Sequence, residues 1–340
     1  MSIDELWRDQ SVFARAVRSA VSPLAWLYGS IVSLRNTLYD RGLLRAHGSA
    51  IPVVSVGNVT VGGTGKTPFS AYIVRALLES GHRPAVVMRG YGNDEMHLHP
   101  RMNPGTLVFT GADRMAGIHS AVRAGADVVV LDDGFQHRRA RRDLDFVLVS
   151  AEQWHDHMRL LPAGPLREPL RSLARADLVV VTQKSANDDS VSAVMCALEA
   201  LPARLGVVVA AIEPIAIVSA ADAETVGLAS LRDERILAVA GVGDPGAFFA
   251  QLRQLGAIVT ERRFPDHHDY SGTDAQQIVS ESSGHKYVIT TEKDAVKLST
   301  VWPADGPLLW YLSQAVRLRE GASLVATALA NLFERATSIA

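Results

Sequence analysis

The sequence has almost no cysteine and no long hydrophobic run. Cys196 is its one cysteine in 340 residues, which excludes a disulfide within the chain, argues against a cysteine-based zinc site and fits a reducing cytosol. The longest early stretch without a charge, 19–34, covers 16 residues and falls short of the roughly 20 that cross a bilayer as a helix. The first ten residues carry three acidic side chains against one basic, so we expect no secretory signal peptide.

An excess of charge of either sign is also missing. Lysine and arginine together number 34 against 36 aspartates and glutamates, a formal net charge of −2. This balance excludes a generally basic nucleic-acid coat and an acidic disordered tail, so we expect no nucleic-acid partner. With 48% apolar and 21% charged residues the composition is that of a globular protein, and the length predicts two domains or one large one.

Short apolar runs rich in valine alternate with helical patterns from residue 51 onwards. The runs are 53–56, 85–88, 107–109, 128–131, 146–149 and 178–181. Continuous apolar strands separated by helices predict a parallel α/β sheet covered by helices on both faces. Near residue 213 the alternation of apolar runs and helical patterns begins again, which predicts a second, smaller α/β unit. We therefore expect a helical N-terminal segment (1–48), a core domain (49–212) and a smaller C-terminal domain (213–340).

The strongest local signal is a glycine-rich turn directly between a predicted strand and a predicted helix. Residues 62–68 read Gly-Gly-Thr-Gly-Lys-Thr-Pro and match the end of the phosphate-loop pattern G-x-x-x-x-G-K-[ST], with Thr60 in place of the first glycine. In such a loop backbone N–H groups bind phosphates, the lysine reaches the β- and γ-phosphates and the hydroxyl holds Mg²⁺. The pattern predicts a P-loop NTPase-like fold. Its expected nucleotide contacts are Thr60, Val61, Gly62, Gly63, Thr64, Gly65, Lys66 and Thr67.

A second motif, Val-Val-Val-Leu-Asp-Asp-Gly at 128–134, ends an apolar strand with two carboxylates. P-loop enzymes hold Mg²⁺ with such strand-end acids, which makes Asp132 and Asp133 candidate metal ligands. Together the two motifs predict a nucleoside triphosphate and Mg²⁺ without defining the phosphate acceptor. A regulatory or metallochaperone NTPase and a cytosolic kinase or ligase for a small molecule therefore stay open. The guanine-reading string of a GTPase is only approached by Thr-Glu-Lys-Asp at 291–294, whose order is wrong.

The N-terminal segment combines positive charge with an apolar stripe. Between residues 11 and 48, five arginines stand against Asp40 as the one acidic residue. Leucine and isoleucine recur at helical spacing at positions 24, 27, 31, 34 and 38, beside Trp26 and Tyr28. Such a helix either lies in a membrane interface or packs its apolar stripe on its own domain.

Several longer strings resemble those of one enzyme family. They are Arg-Gly-Tyr-Gly at 89–92, Asp-Asp-Gly-Phe-Gln-His-Arg at 132–138, Leu-Pro-Ala-Gly-Pro-Leu-Arg-Glu-Pro at 161–169, Phe-Pro-Asp-His-His-Asp-Tyr at 264–270 and Thr-Glu-Lys-Asp-Ala-Val-Lys at 291–297. In this order, together with Gly57-Asn58 and the phosphate loop, they resemble the tetraacyldisaccharide 4′-kinases, the lipid A 4′-kinase family, over about residues 20–300. A threonine at the position of Thr60 is also typical of that family.

The resemblance implies a reaction and a place for it. ATP would phosphorylate the 4′-hydroxyl of a tetraacylated glucosamine disaccharide 1-phosphate to give lipid IVA in lipid A biosynthesis. The enzyme would be bound peripherally to the cytoplasmic face of the bacterial inner membrane, with the helix around 23–29 facing the bilayer. We also expect a monomer.

The resemblance also implies roles at the phosphate end of the site. Lys66 would neutralise charge on the transferred phosphoryl group. Thr67, Asp132, Asp133 and Glu95 would hold Mg²⁺ or its waters.

At the acceptor end the resemblance implies that Asp94 is the general base, assisted by His267 from the second domain, so that the two domains flank one cleft. The residues expected at the substrate are Arg89, Tyr91, Gln136, His137, Arg167 and Glu168. One departure concerns the loop after Gly92. Here Asn93, Asp94 and Glu95 follow at once, where the family has a longer stretch.

Overall fold

The computed structural model describes residues 6, 7, 9, 11–90, 95–155 and 158–337, except for the side chains of Glu95, His97 and 335–337. Within these residues the strands of the sheet are β1 Val53–Asn58, β2 Pro84–Met88, β3 Leu107–Thr110, β4 Val128–Asp132, β5 Leu144–Ser150, β6 Leu178–Gln183, β7 Gly206–Ser219, β8 Thr225–Val226, β9 Arg235–Ala240, β10 Ile258–Arg263, β11 Tyr287–Thr291 and β12 Leu309–Glu320. The α-helices are α1 Val12–Ala20, α2 Ser22–Asp40, α3 Lys66–Glu79, α4 Glu95–Met102, α5 Arg114–Arg123, α6 Asp188–Glu199, α7 Pro245–Gln254, α8 Gly272–Glu281, α9 Glu292–Leu298 and α10 Ala322–Thr337.

The strands form one sheet in the order β10-β9-β11-β12-β7-β6-β5-β1-β4-β2-β3, with β8 paired to β7. The pairs of β7 with β12 and with β8 are antiparallel, and the other strand pairs are parallel. The central strands β1, β4, β5 and β6 are buried along their whole length. On one face α3 and α10 pack against Val54 and Phe146, and on the other α6 packs against Val147 and Val179. The predicted α/β fold with helices on both faces is therefore confirmed.

Two long strands join the two halves of the sheet. The first part of β7 pairs with β6, and residues 209–219 of β7 pair with β12. Residue 213, where the sequence predicts the start of the second domain, lies in the middle of β7. The C-terminal unit contributes β9, β10 and β11 with α7, α8 and α9, and its strands continue the same sheet beyond β12.

The register of these strands brings the carboxyl ends of β6 and β11 close together. β6 ends at Gln183 beside Ala211, and β11 ends at Thr291 beside Leu312, which pairs with Ile217. Because β11 and β12 run antiparallel to β7, the carboxyl ends of β6 and β11 face each other across residues 212–216 of β7. Loops from both units meet over this stretch of sheet. The carboxyl ends of parallel strands are where α/β proteins bind ligands.

Helix α2 presents two different faces. Its buried residues are small or polar, namely Ala25, Gly29, Val32 and Asn36. Four of the five residues of the apolar stripe, at 24, 27, 31 and 34, are 58–62% exposed, and the Trp26 side chain beside them is 76% exposed. The fifth, Leu38, is half-buried. This stripe points away from the protein, so the interpretation that it packs on its own domain is wrong. No helix in the described ranges is long and apolar enough to span a bilayer.

Candidate active site

The phosphate loop lies between β1 and α3, as the sequence predicts. Gly62 and Gly65 have φ values of +100° and +84°, which let the chain turn sharply before the helix begins at Lys66. The Asn58 side chain donates to Oγ1 of Thr64 at 3.0 Å, and Thr182 donates to the carbonyl of Thr64 at 2.9 Å. These bonds fix the loop, so that its N–H groups and the N-terminus of α3 form an anion site.

Asp133 lies between two cations at the edge of this loop. Its carboxylate accepts from Arg167 at 2.9 and 3.0 Å, and Lys66 Nζ lies 3.6 Å away. Burial alone would raise the pKa of Asp133, but the charges of Lys66 and Arg167 outweigh burial and lower it. The carboxylate therefore stays ionised and orients both cations. Its predicted role as a metal ligand stays a prediction.

Asp132 has a neighbour that the sequence does not indicate. It ends β4, is 4% exposed, and its Oδ2 lies 3.2 Å from Nε2 of His99 on α4. His99 is fully buried, and its other ring nitrogen has no partner within the described residues. This bond ties helix α4 to the strand-end carboxylate and fixes the carboxylate's orientation.

We expect His99→Leu to weaken Mg²⁺-dependent nucleotide binding by about 10- to 100-fold, because Asp132 loses the bond that orients it. His99→Gln keeps a side-chain donor and should recover most of the loss. Calorimetric titration of Mg²⁺ into the protein with nucleotide measures both variants, and His119→Leu, at an exposed histidine on α5, is the matched control. Equal Mg²⁺ dependence in wild type and His99→Leu would show that His99 is only a packing residue.

The donor set at this end of the cleft suits Mg²⁺. Asp132 and Thr67 line the same space and offer carboxylate and hydroxyl oxygens. Among the described residues no group of three or more His, Cys, Asp or Glu side chains could hold a metal ion. Mg²⁺ at nucleotide sites is usually held by one or two carboxylates plus the phosphates, so the residues present fit this ion. Glu95, also predicted to hold the metal, has its side chain outside the described residues.

The phosphate loop faces the C-terminal unit across a cleft of about 740 Å³. Arg89 and Arg167 line it beside the loop, and His267 and Lys293 line the opposite wall. The two walls approach closely, since a Cβ on Gly243 would lie 3.4 Å from Cα of Gly62. Side chains from both units therefore line the same space.

His267 has an unusual backbone. Its φ is +58°, and its N–H donates to the carbonyl of Gly241 at 3.2 Å. Lys293 Nζ lies 3.3 Å from both nitrogens of the ring. The structure thus brings His267 and Lys66 to one cleft, while Asp94 and Tyr91 lie outside the described residues.

Gln136 and Glu168, predicted at the substrate, contact helix α2. The Gln136 side chain donates to the carbonyl of Asn58 at 2.7 Å, and the backbone carbonyl of Gln136 accepts from the Arg35 side chain. Glu168 accepts from Asn36 at 2.7 Å and from Arg175 at 2.9 Å. These contacts fasten α2 behind the phosphate loop. Their substrate roles stay predictions.

His137, also predicted at the substrate, follows the same turn. Burial and the charge of Arg114 lower its pKa, so its ring is neutral near pH 7. Its Nε2 is buried without a partner among the described residues. Its contact with substrate stays a prediction as well.

Glu292 at the start of α9 also lines the cleft, although no sequence motif indicates a role for it. Burial raises the pKa of its carboxyl to about 7, and the charge of Arg101 on α4 opposes only part of this rise. Between the ordinary value of 4.5 and about 7 the folded protein therefore binds more protons than the unfolded chain. Stability falls as the pH rises through this range.

We expect Glu292→Gln to be more stable than wild type by about 1–3 kcal/mol above pH 8, since the variant has no carboxyl to ionise there. Below pH 4.5, where folded and unfolded wild type are both protonated, the difference should vanish. Urea unfolding across this pH range measures the effect, with the exposed Glu199→Gln as control. A constant difference at all pH values would contradict the assigned ionisation.

Together the loop, the strand-end acid and the parallel sheet define a P-loop nucleotide-binding protein. Its sequence matches the family model described as tetraacyldisaccharide-1-P 4′-kinase over residues 17–106 and 93–333. The chain belongs to the tetraacyldisaccharide 4′-kinase family. The predicted family resemblance is therefore confirmed.

Named relatives agree with this assignment. A tetraacyldisaccharide 4′-kinase of Halorhodospira halophila is 40% identical, with 96% of this chain and 95% of the relative covered. One of Xanthomonas campestris is 36% identical, with 81% and 82% covered. A crystal structure of the "apo" form of LpxK from Aquifex aeolicus in complex with ATP is similar to this chain, with 31% identity and a TM-score of 0.74. The match covers 93% of this chain and 99% of that one.

Proposed function

We propose that the protein is a kinase that transfers the γ-phosphoryl group of ATP to the 4′-hydroxyl of a tetraacylated glucosamine disaccharide 1-phosphate, forming lipid IVA. The cleft carries the proposal, because it joins a phosphate loop with Lys66 and Asp132 on one wall to His267 on the other. Membership of the family and the ATP complex of the A. aeolicus relative support this donor and this acceptor.

The donor end is built from fixed positive charge. Lys66 and Arg167 are held on either side of Asp133 and both line the cleft beside the phosphate loop. They stabilise the charge that develops on the transferred group. Asp132 and Thr67 would hold Mg²⁺, which would neutralise part of the negative charge of the phosphates.

The acceptor end needs a base, because a sugar hydroxyl has a pKa far above neutrality. In the proposal Asp94 takes this proton. It directly precedes α4, and Leu98 of that helix lines the cleft. His267 approaches from the opposite wall and assists the base. Closure of the two units would exclude water from the phosphoryl group.

A lipid acceptor requires a path from the membrane to this cleft. The exposed stripe of α2 offers an apolar surface of the kind that lies in a membrane interface. The same helix contacts the site from behind, because the Tyr28 hydroxyl donates to the carbonyl of Arg167 at 2.9 Å. We infer that the protein binds peripherally to the cytoplasmic face of the inner membrane, with α2 placing the cleft next to the lipid.

ADP release in detergent micelles, with and without the acylated disaccharide 1-phosphate, tests the proposed reaction. We expect turnover that depends on the acceptor and falls strongly in His267→Ala. His268→Ala, at the adjacent histidine that pairs with Asp274, is the matched control. An equal rate of ADP release with and without the acceptor would instead identify a regulatory NTPase.

Membrane binding has its own expected result. Replacing Trp26 and Leu27 together by glutamate should weaken partitioning into phosphatidylethanolamine–phosphatidylglycerol vesicles by about tenfold or more, because each buried apolar side chain contributes about 1.5–3 kcal/mol. The same two charges at Gln276 and Gln277, exposed on α8, serve as control. Vesicle flotation measures the bound fraction, and unchanged partitioning would reject the α2 surface.

A further inference from the structure

Helix α9 holds the turn that presents His267 to the cleft. Near its start, Nζ of Lys293 lies 3.3 Å from both ring nitrogens of His267. One helical turn later, Nζ of Lys297 donates to the carbonyl of His268 at 3.2 Å. Between these two lysines stands Asp294, a carboxylate that the proposed reaction does not use.

Asp294 is connected to the main chain of His267 through one intermediate residue. It is 1% exposed, and its Oδ2 accepts from the hydroxyl of Thr291 at 2.7 Å. The same oxygen accepts from the backbone N–H of Gly241, the residue that follows strand β9, at 2.9 Å. The carbonyl of Gly241 in turn accepts from the N–H of His267 at 3.2 Å. Gly241 therefore links the buried carboxylate to the backbone of His267.

The position of Gly241 leaves no room for a side chain. A Cβ on Gly241 would lie 2.8 Å from Oη of Tyr270 and 3.2 Å from Oδ1 of Asp294. Tyr270 is 8% exposed, so the surrounding wall confines its ring. Glycine at this position is what allows the backbone to approach the carboxylate so closely.

The backbone conformation of His267 needs such support. Its φ of +58° is a left-handed conformation that residues other than glycine adopt rarely. Such a conformation persists where the surrounding contacts enforce it, and it is frequent at active sites. A turn released from Asp294 could relax to a commoner conformation, and this would change the direction of the imidazole.

We propose that Asp294 is a positioning residue for phosphoryl transfer, which fixes the main chain of His267 through Gly241 and so directs the imidazole into the cleft. The inference rests on the proposed role of His267 at the acceptor end. The bond to Gly241 requires an acceptor atom on residue 294. The amide oxygen of an asparagine can supply that atom, whereas a leucine of similar shape has no acceptor.

Variants at the two ends of this link have distinct expected effects. With saturating ATP and acylated disaccharide, Asp294→Leu should lower kcat about 10- to 100-fold, because the imidazole is misplaced. Asp294→Asn should stay within about threefold of wild type, since it keeps the acceptor. Gly241→Ala keeps the carboxylate but displaces the turn, so we expect it to resemble Asp294→Leu. Asp305→Leu, in an exposed loop, is the matched control and should keep wild-type kcat.

A double-mutant cycle with His267→Ala separates positioning from a merely structural role. If Asp294 acts through His267, Asp294→Leu should lower kcat by less than about twofold once residue 267 is alanine. Thermal unfolding shows whether each variant is folded, and Gly241→Ala replaces Asp294→Leu in the cycle if the leucine variant is not. A loss of kcat that is as large with alanine at 267 as with histidine would overturn the inference.

Hydrogen exchange followed by mass spectrometry tests the contact without turnover. The amides of Gly241 and His267 should exchange about tenfold faster in Asp294→Leu than in wild type, and at nearly wild-type rates in Asp294→Asn. Unchanged exchange in folded Asp294→Leu would overturn the inference, whether or not the protein is a kinase. Faster exchange in Asp294→Leu, combined with a wild type that phosphorylates no acceptor, would support the positioning of His267 and overturn the proposed function.

Discussion

Lys66→Met is expected to lower kcat for acceptor phosphorylation by about two to three orders of magnitude. Lys66 begins α3 at the phosphate loop, and its side chain is only 16% exposed, so its charge acts in a partly desolvated site. A charge fixed in such a site stabilises a transition state better than a mobile charge in water. The fold should survive, because Asp133 still pairs with Arg167 at 2.9 Å.

Steady-state kinetics with a saturating acceptor and thermal unfolding together measure this effect. Lys286→Met is the matched control, since Lys286 lies far along the chain in an exposed ion pair with Glu234. The control should keep wild-type kcat. A wild-type kcat in Lys66→Met would show that the phosphates bind away from Lys66.

Asp132→Ala is expected to have a comparable effect on kcat, about two to three orders of magnitude, through loss of the metal-holding carboxylate. It also leaves His99 buried without its partner, which should cost about 1–3 kcal/mol of stability. Asp132→Asn separates the two consequences, because its amide oxygen can still accept from His99 but is a poor Mg²⁺ ligand. The asparagine variant should keep stability and lose activity.

Nucleotide binding with and without Mg²⁺ gives a second measure of Asp132 that does not depend on turnover. Wild type should bind the imido analogue of ATP more tightly with Mg²⁺, and Asp132→Asn should show little gain. Asp305→Asn, in an exposed loop, is the control. A full Mg²⁺ response in Asp132→Asn would assign the metal to other residues.

The phosphate loop could be predicted from the sequence because its signal is local. The glycines that turn the chain, the lysine and the start of the helix are adjacent, so one short string encodes both the fold and the chemistry. Asp132 and Asp133 were predictable for a similar reason, since they end an apolar strand. The different surroundings of the two carboxylates could not be predicted, because His99 contacts Asp132 and Arg167 contacts Asp133 from other parts of the chain.

The ribbon of β7 and β12 could not be predicted in the same way. β7 contains Pro214 and Glu213, which interrupt its apolar pattern, and the register of the pair shifts beside Pro214. The two segments are about a hundred residues apart, and neither sequence alone indicates that they pair. The contact between Gln314 and Gln251 depends on the same long-range pairing, because Gln251 donates to the carbonyl of Ile212 on β7 and Gln314 lies on β12.

The direction in which the apolar stripe of α2 faces could not be predicted from its spacing. Helical spacing of leucines predicts a face but not its direction. The helix packs through small residues, and a Cβ on Gly29 would lie 2.7 Å from Cδ1 of Leu160, so the close face has no room for leucines. The arginines near the stripe are the sequence feature that favours the proposed contact with a membrane interface.

The central claim is that this cleft phosphorylates the far sugar of an acylated disaccharide. The most direct measurement is tandem mass spectrometry of the lipid recovered after incubation with ATP and Mg²⁺. We expect one added phosphoryl group, located at the 4′ position of the non-reducing glucosamine, and formed about 100- to 1,000-fold more slowly by Lys66→Met. A lipid recovered unchanged while wild type consumes ATP, or phosphate attached at another oxygen, would contradict it.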